Sequence, residues 1–430
     1  MEDNSWYKAR HYLHFDRPVG LRVALEYVAN PAKVCVHSFY PFIRNATITK
    51  KTKYHPLPRV FEIVEKVRPI SYAAHMDSNI YAYYSSILSS KYEEELKTHG
   101  LQTSVLAFRS LGGQSNIHHA HNAFQEIKAR EESSVLCFDI EKFFDRLNHD
   151  FIKRVWKDVL DVSRLPADHY AVFKAITKYS SVNRSDAFKA LDISLHNPKV
   201  ANKRLCSAPE FRALIRDQKL ITSNHEKYGI PQGSPISAIL SNMYMLDFDK
   251  AMLLFLSKTE SVYYRYCDDI MIICPIQAQD EIQEYVEAEI RKMLLDVQHK
   301  KTDVQQFTRD ASGNLRTERP IQYLGFMFDG ERIFIRPSSL TRYYKKMKSR
   351  VGLAKKTRDR INGLRRERGE ADKGLFLRAI YKGYTHLGRR NFITYGYRAA
   401  KIMDSKTIRQ QLRAHWRKVQ QEIKTCPPKG

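Results

Sequence analysis

Two adjacent carboxylates, Asp268 and Asp269, stand between two short runs rich in aromatic and β-branched residues, Val262–Tyr266 and Ile270–Ile273. Runs of that kind around a tight polar connection read as a hairpin with the acids at its tip. Neighbouring like charges repel, so the pair is unfavourable unless a cation sits beside it. Hard oxygen donors at a strand tip suit Mg²⁺, with Mn²⁺ as an alternative, and such an ion keeps positions open for water and substrate phosphate. The plain alternative is a solvated Asp-Asp turn. Tyr-x-Asp-Asp arises by chance on the order of 0.03 times in a chain of this length and average composition. The pair therefore needs partners elsewhere in the chain.

The first partner lies in SSVLCFDIEKFFDRLNHDFIKRVW. Val135–Phe138 reads as a buried strand ending at Asp139, and 143–156 as the helix that follows it. A strand ending there brings Asp139 to the hairpin tip if the two are neighbours, although Asp139 could equally cap the helix. Asp145, the rival carboxylate, falls inside that helix and faces away. The stretch Gly229-Ile-Pro-Gln-Gly-Ser-Pro-Ile-Ser237 is a loop opening into a helix, with Ser234 as the expected cap and Pro235 at its first position. A loop of this composition lets backbone approach a ligand closely, and it carries Gln232. Arg68-Pro69-Ile70 reads as an extended turn before a helix. Gly112-Gly113 is a turn, and Ser115 caps a helix running to about Arg130. His118 and His119 would point about 100° apart on that helix, a poor joint metal site with His121. IQYLGFMFDGERIFIR is a second hairpin, turning at Asp329-Gly330.

The elements that must hold these residues have ample material. The chain has 430 residues, 43% hydrophobic and 28% charged, enough for a large core and two or three subdomains. No apolar run approaches the roughly 20 residues needed to cross a membrane, and the start, MEDNSWYKAR, does not read as a signal peptide. Six cysteines lie far apart with no CxxC pair, so free thiols in a reducing cytoplasm are expected and zinc is not. Net charge is +25, and Ser338–Gly430 holds 26 Lys and Arg against 6 Asp and Glu, which leaves only +5 for everything before it. Tyr343, Tyr344, Tyr381, Tyr384, Tyr395, Tyr397 and Trp416 are interleaved with that charge. Aromatics among cations favour nucleic acid over anionic lipid, through base stacking beside phosphate contacts. Residues 1–60 read as a weakly patterned N-terminal extension, and 180–227 as a polar, basic elaboration.

Taken together, these residues resemble a reverse transcriptase, in order along most of Arg68–Arg336. Arg68-Pro69-Ile70 resembles the first fingers block, and Phe108-Arg109 with Gly113 and Ser115 the second. FDIEKFFD (138–145) is similar to the first catalytic motif, GIPQGSPIS to the loop motif that follows and YCDD to the second catalytic motif. Lys300-Lys301-Thr302 is similar to the next motif, and Tyr323-Leu-Gly-Phe326 to the hairpin that grips the primer. The resemblance implies an α+β right-hand polymerase. Fingers would cover 61–130, and a palm 131–337 with an insertion at about 180–227. A basic helical thumb would occupy 338–430.

The resemblance also implies roles. Asp139 and Asp268 would bridge two Mg²⁺ ions about 4 Å apart, with the Ile140 carbonyl on the nucleotide side and Asp269 in support. Phe144 would exclude a ribonucleotide 2′-hydroxyl, Phe143 being the core ring. Gln232 would touch the incoming nucleotide and template, Arg109 and Arg68 would pair with triphosphate oxygens, and Lys301 would protonate pyrophosphate. Lys345, Lys346, Arg389 and Arg390 would hold the duplex. The implied partners are an RNA template, a DNA product and dNTPs, with no membrane. The chain lacks the Val-Thr-Gly of retron enzymes, having Leu324-Gly325-Phe326, and carries Cys267 where group II intron enzymes have Ala. A compact chain of this kind is most similar to bacterial defence-associated reverse transcriptases that copy a companion non-coding RNA. Retron-type or group II-like enzymes, template-independent or protein-primed synthesis, an RNA-dependent RNA polymerase and a nucleic-acid-binding module with an idle palm are the alternatives. An RNA polymerase would show Gly-Asp-Asp and no aromatic at 144, and an idle palm should have lost at least one of these residues.

Overall fold

The computed structural model describes residues 4–55, 60–198, 200 and 203–425. In chain order its strands are β1 (Phe42–His55), β2 (Val60–Tyr72), β3 (Ser133–Asp139), β4 (Ser180–Asn183), β5 (Thr222–Ser223), β6 (Val262–Tyr266), β7 (Asp269–Cys274), β8 (Asp303–Arg309), β9 (Leu315–Arg316), β10 (Ile321–Tyr323), β11 (Phe326–Phe328) and β12 (Ile333–Ile335). They form sheets ordered β2-β1-β4-β5, β6-β7-β3-β8-β9 and β10-β11-β12. With helices packed around largely antiparallel sheets and a helical C-terminal region, the chain has the expected α+β class.

The central sheet is built by period-2 alternation, which sends successive side chains to opposite faces. Leu136, Phe138, Ile270 and Ile272 enter one core with Trp156, Tyr244 and Val286 from the covering helices. Val135, Met271 and Ile273 enter the other, with Phe124 and Phe328. Both faces of β3 and β7 are therefore buried, and a slip of one residue would exchange the two cores. The β6–β7 hairpin forms where expected. The helix expected over 143–156 is instead two, Phe143–Arg146 and His149–Leu160. Asn148 interrupts it by capping the second, accepting from the N–H groups of Asp150 and Phe151 at 2.9 and 3.1 Å.

Two readings of the N-terminal region need correction. The expected extension 1–60 contains β1, which pairs with β2 from Ile43 opposite Tyr72 to His55 opposite Val60. β4, from the 180–227 elaboration, joins β1 in parallel, and Phe188, Phe211 and Ile215 from the same stretch share a core with Phe15 and Ile43. The two stretches thus build one body. Arg68-Pro69-Ile70 is not a pre-helical turn but lies inside β2. Proline is tolerated there because β2 is an edge strand whose outer N–H groups need no ladder partner. The helix begins only at His75.

At the C-terminal end, β10 turns into β11 through Leu324 and Gly325, both at positive φ. β11 and β12 pair around the expected Asp329-Gly330 turn. The helix Pro337–Glu367 then buries Tyr343, Met347 and Val351, spaced four apart, and turns Lys345 and Lys346 outward. Arg389 and Arg390 are exposed just before the helix Phe392–Ile402, which Asn391 caps. The last stretch of the basic segment, 426–430 with Cys426, lies outside the described residues. The five described cysteines are free thiols. Among the described residues no helix is long and apolar enough to cross a membrane.

Candidate active site

The register of the central sheet gathers the carboxylates. Asp139, the last residue of β3, stands opposite Asp269, the first of β7, which is also paired with Tyr266. Asp268 occupies the two-residue turn between β6 and β7. Lys301, on a short helical turn after Gln298, ion-pairs through Nζ with Asp139 Oδ2. The Gln298 N–H donates to the Asp139 carbonyl at 2.8 Å, tying that turn to the end of β3. Ile140 is buried and pairs with Val297. Strand ends and one turn thus bring Asp139, Ile140, Asp268, Asp269 and Lys301 together.

This cluster is electrostatically uncomfortable without a cation. Burial raises the Asp268 carboxyl above its ordinary range, and the Asp139 charge adds to the rise. Asp269 is pushed up to about 7 by burial, then by Asp268 and Asp139, while Lys301 and Arg336 pull it back. Asp269 is nonetheless open to solvent on one side. Arg336, at the end of β12, is a cation that the sequence alone does not reveal, since only the fold brings it near the hairpin tip. The donors are all hard carboxylate oxygens in mutual repulsion, which fits Mg²⁺ or Mn²⁺. They are not closed into a cage: among the described residues no three His, Cys, Asp or Glu side chains converge as a ready metal site.

A pH dependence follows. A proton on Asp269 competes with a divalent cation, so lowering pH from 8 to 6 should raise the Mn²⁺ concentration for half-saturation about tenfold. Asp269→Asn should flatten that dependence, which a Mn²⁺ titration followed by electron paramagnetic resonance would read. An unchanged slope in the variant would assign the proton to another group.

The Gly229–Ser237 loop folds against the start of the catalytic segment. The Ile230 N–H donates to the Phe144 carbonyl at 2.9 Å, and the Ser71 N–H to the Gln232 carbonyl at 2.8 Å. Gly233 has φ +106, and a Cβ there would meet the Ser71 carbonyl oxygen at 2.6 Å, so glycine is required. The helix starts at Ser237 rather than after Ser234. The Ser237 hydroxyl donates to the Pro231 carbonyl at 2.6 Å, and the buried Ser234 hydroxyl has no partner. Phe143 is the core ring, whereas Phe144 is half-buried and meets Phe143 edge to face, with ring centroids 5.6 Å apart.

The expected triphosphate arginines fare differently. Arg68 is exposed on β2, opposite Thr47. Arg109 is engaged within the protein: its side chain is 3% exposed and grips Glu93 through two 2.7 Å contacts. It also donates to the carbonyls of Gln102 and Val105, at 2.8 and 2.5 Å. Its neighbourhood in sequence suggested a ligand contact, but a carboxylate on the helix His75–Thr98 claims the guanidinium. Ser115 begins the helix Asn116–Lys128 as expected, and its N–H donates to His118 Nδ1 at 3.1 Å, which makes that histidine part of a cap. Lys345, Lys346, Arg389 and Arg390 are all exposed.

A sequence profile described as reverse transcriptase (RNA-dependent DNA polymerase) matches residues 48–328. No curated protein matches the chain. Among solved structures, apo telomerase from Candida tropicalis truncated of its C-terminal domain is similar at 12% identity and a TM-score of 0.41. The match covers 74% of this chain and 61% of that one. Telomerase from Candida albicans in complex with a TWJ fragment of telomeric RNA is similar at 13% identity and a TM-score of 0.37, over 93% of this chain and 66% of that one. The chain thus spans about three fifths of the length of the first of these telomerases.

Proposed function

The chain belongs to the reverse transcriptase family of RNA-dependent DNA polymerases, and from that premise we propose that it adds deoxynucleotides to a primer on an RNA template at the Asp139–Asp268–Asp269 cluster. The observation that carries this is the register of Asp139 opposite Asp269 at the tip of the central sheet, with Lys301 on Asp139. Two divalent ions, when bound, would activate the primer hydroxyl and neutralise charge developing on the triphosphate. Asp139 and Asp268 would hold them with the Ile140 carbonyl, and Asp269 would support the primer side. Lys301, ion-paired with Asp139, stands beside the site and would serve as a proton donor for departing pyrophosphate. Phe144 would block a 2′-hydroxyl, Gln232 would meet nucleotide and template, and Arg68 remains free to reach phosphate.

We further assign the template to a companion non-coding RNA and the pathway to anti-phage defence, on the strength of YCDD, the missing Val-Thr-Gly and the 180–227 elaboration. Sequencing the nucleic acid that co-purifies with the protein tests this. One recurrent structured RNA with complementary DNA supports the assignment, and a random sample of cellular RNA contradicts it. The basic C-terminal segment should act as the thumb. Neutralising Lys345, Lys346, Arg389 and Arg390 removes up to four phosphate contacts, so the slope of log affinity against log salt should flatten by up to roughly 3 and products should shorten. An unaltered slope would place the grip elsewhere.

A further inference from the structure

Three residues before Asp268, Arg265 on β6 is fully buried. Its guanidinium makes a bidentate ion pair with the equally buried Asp249, from Nε at 2.7 Å and Nη2 at 2.5 Å. Nη1 donates to Asn242 Oδ1 and to the Cys267 carbonyl, both at 3.2 Å, and Nη2 also reaches the Tyr92 hydroxyl at 3.5 Å. All five N–H donors of the fork therefore have an acceptor. The Tyr263 hydroxyl donates to Asp249 at 2.6 Å, and Asn242 Nδ2 donates to the Ala107 carbonyl at 2.9 Å. The backbone of Arg265 is held as well: its N–H donates to the Ser104 carbonyl at 2.8 Å, and its carbonyl accepts from the Leu106 N–H at 2.9 Å.

What this network grips is the turn that carries the acids. Cys267 has φ +61, a left-handed conformation disfavoured for a residue with a side chain. It persists only where its surroundings over-determine it. Cys267 is itself buried, and its carbonyl is the backbone group the guanidinium takes. We propose that Arg265, oriented by Asp249, is a positioning residue that locks the Cys267 turn and thereby aims Asp268 and Asp269. A buried ion pair is weak ground for a stability role, since well-packed apolar replacements are often tolerated. A planar fork that links a carboxylate to a strained turn is instead suited to geometry, and lysine, a point charge, cannot serve both.

The inference rests on the assignment of Asp268 and Asp269 as the metal carboxylates. Its test is Arg265→Lys, which keeps the charge beside Asp249 but gives up the Cys267 carbonyl, alongside Arg265→Met with Asp249→Leu, which removes both charges. For each, turnover per folded molecule, dNTP KM, Mg²⁺ half-saturation and primer–template affinity would be measured, the folded fraction being read by thermal melting. The expected outcome is turnover reduced at least about 30-fold, the scale of a misplaced reacting group. The Mg²⁺ requirement should rise several-fold, while primer–template affinity stays within about twofold. A folded Arg265→Lys enzyme with the parent's turnover and Mg²⁺ half-saturation overturns the inference. So does activity in either variant that falls only in proportion to the unfolded fraction. If Asp268→Ala with Asp269→Ala stays active, it is the site assignment that has failed; if that variant is dead and Arg265→Lys is unimpaired, only the positioning role has.

Discussion

Replacing Asp268 and Asp269 together by alanine is expected to abolish Mg²⁺- or Mn²⁺-dependent dNTP incorporation, by a factor of at least about 10³. The two carboxylates flank one strand start, and Asp269 lies opposite Asp139, so the double variant leaves a single acid already engaged by Lys301. Asp145, the rival carboxylate, lies beyond the end of β3 on the short helix Phe143–Arg146. The fold should survive. Asp268 and Asp269 are pushed upward by burial and by their neighbours, so removing them relieves repulsion rather than breaking a favourable pair. A folded double variant with full activity would place the chemistry elsewhere.

Phe144→Ala should admit ribonucleotides while DNA synthesis continues. The ring is half-buried, its backbone carbonyl is fixed by Ile230, and Phe143 beneath it supplies the core packing. Truncation therefore opens space at the surface of the site instead of hollowing the core, and stability should fall by less than a core Phe→Ala change, about 3–5 kcal/mol. The ratio of kcat/KM for dNTP over NTP should drop on the order of 10²-fold, the scale of a steric filter. An unchanged ratio would move the sugar filter to another residue. Phe143→Ala serves as the contrast, expected to lose stability first.

The central sheet was legible because its strands are apolar and end at the clustered carboxylates. Val135–Phe138 and Ile270–Ile273 read as buried strands, and the pairing of β3 with β7 then settles that Asp139 stands beside the acidic pair. The β1–β2 hairpin was not legible. RNATITKKTKYH offers few strongly apolar residues, Asn45–Ile48 lie open to solvent, and Pro69 reads as a helix signal unless β2 is known to be an edge. The place of Arg109 in a motif likewise says nothing of Glu93, which its guanidinium grips. The Arg265–Asp249 pair joins residues on different elements, with no local pattern to announce it. Arg336 likewise reaches Asp269 only once β12 is docked. Sequence periodicity reports burial, whereas the pairing of charged side chains is decided by tertiary packing.

The most direct test of the account is primer extension by the purified chain on a defined RNA template, with Mg²⁺ and the four dNTPs, and with the products sequenced. The account predicts DNA complementary to the template, ending at its 5′ terminus and absent with Asp139→Asn. Products whose sequence ignores the template, or no extension by protein shown to be folded and bound to the primer–template, would contradict it.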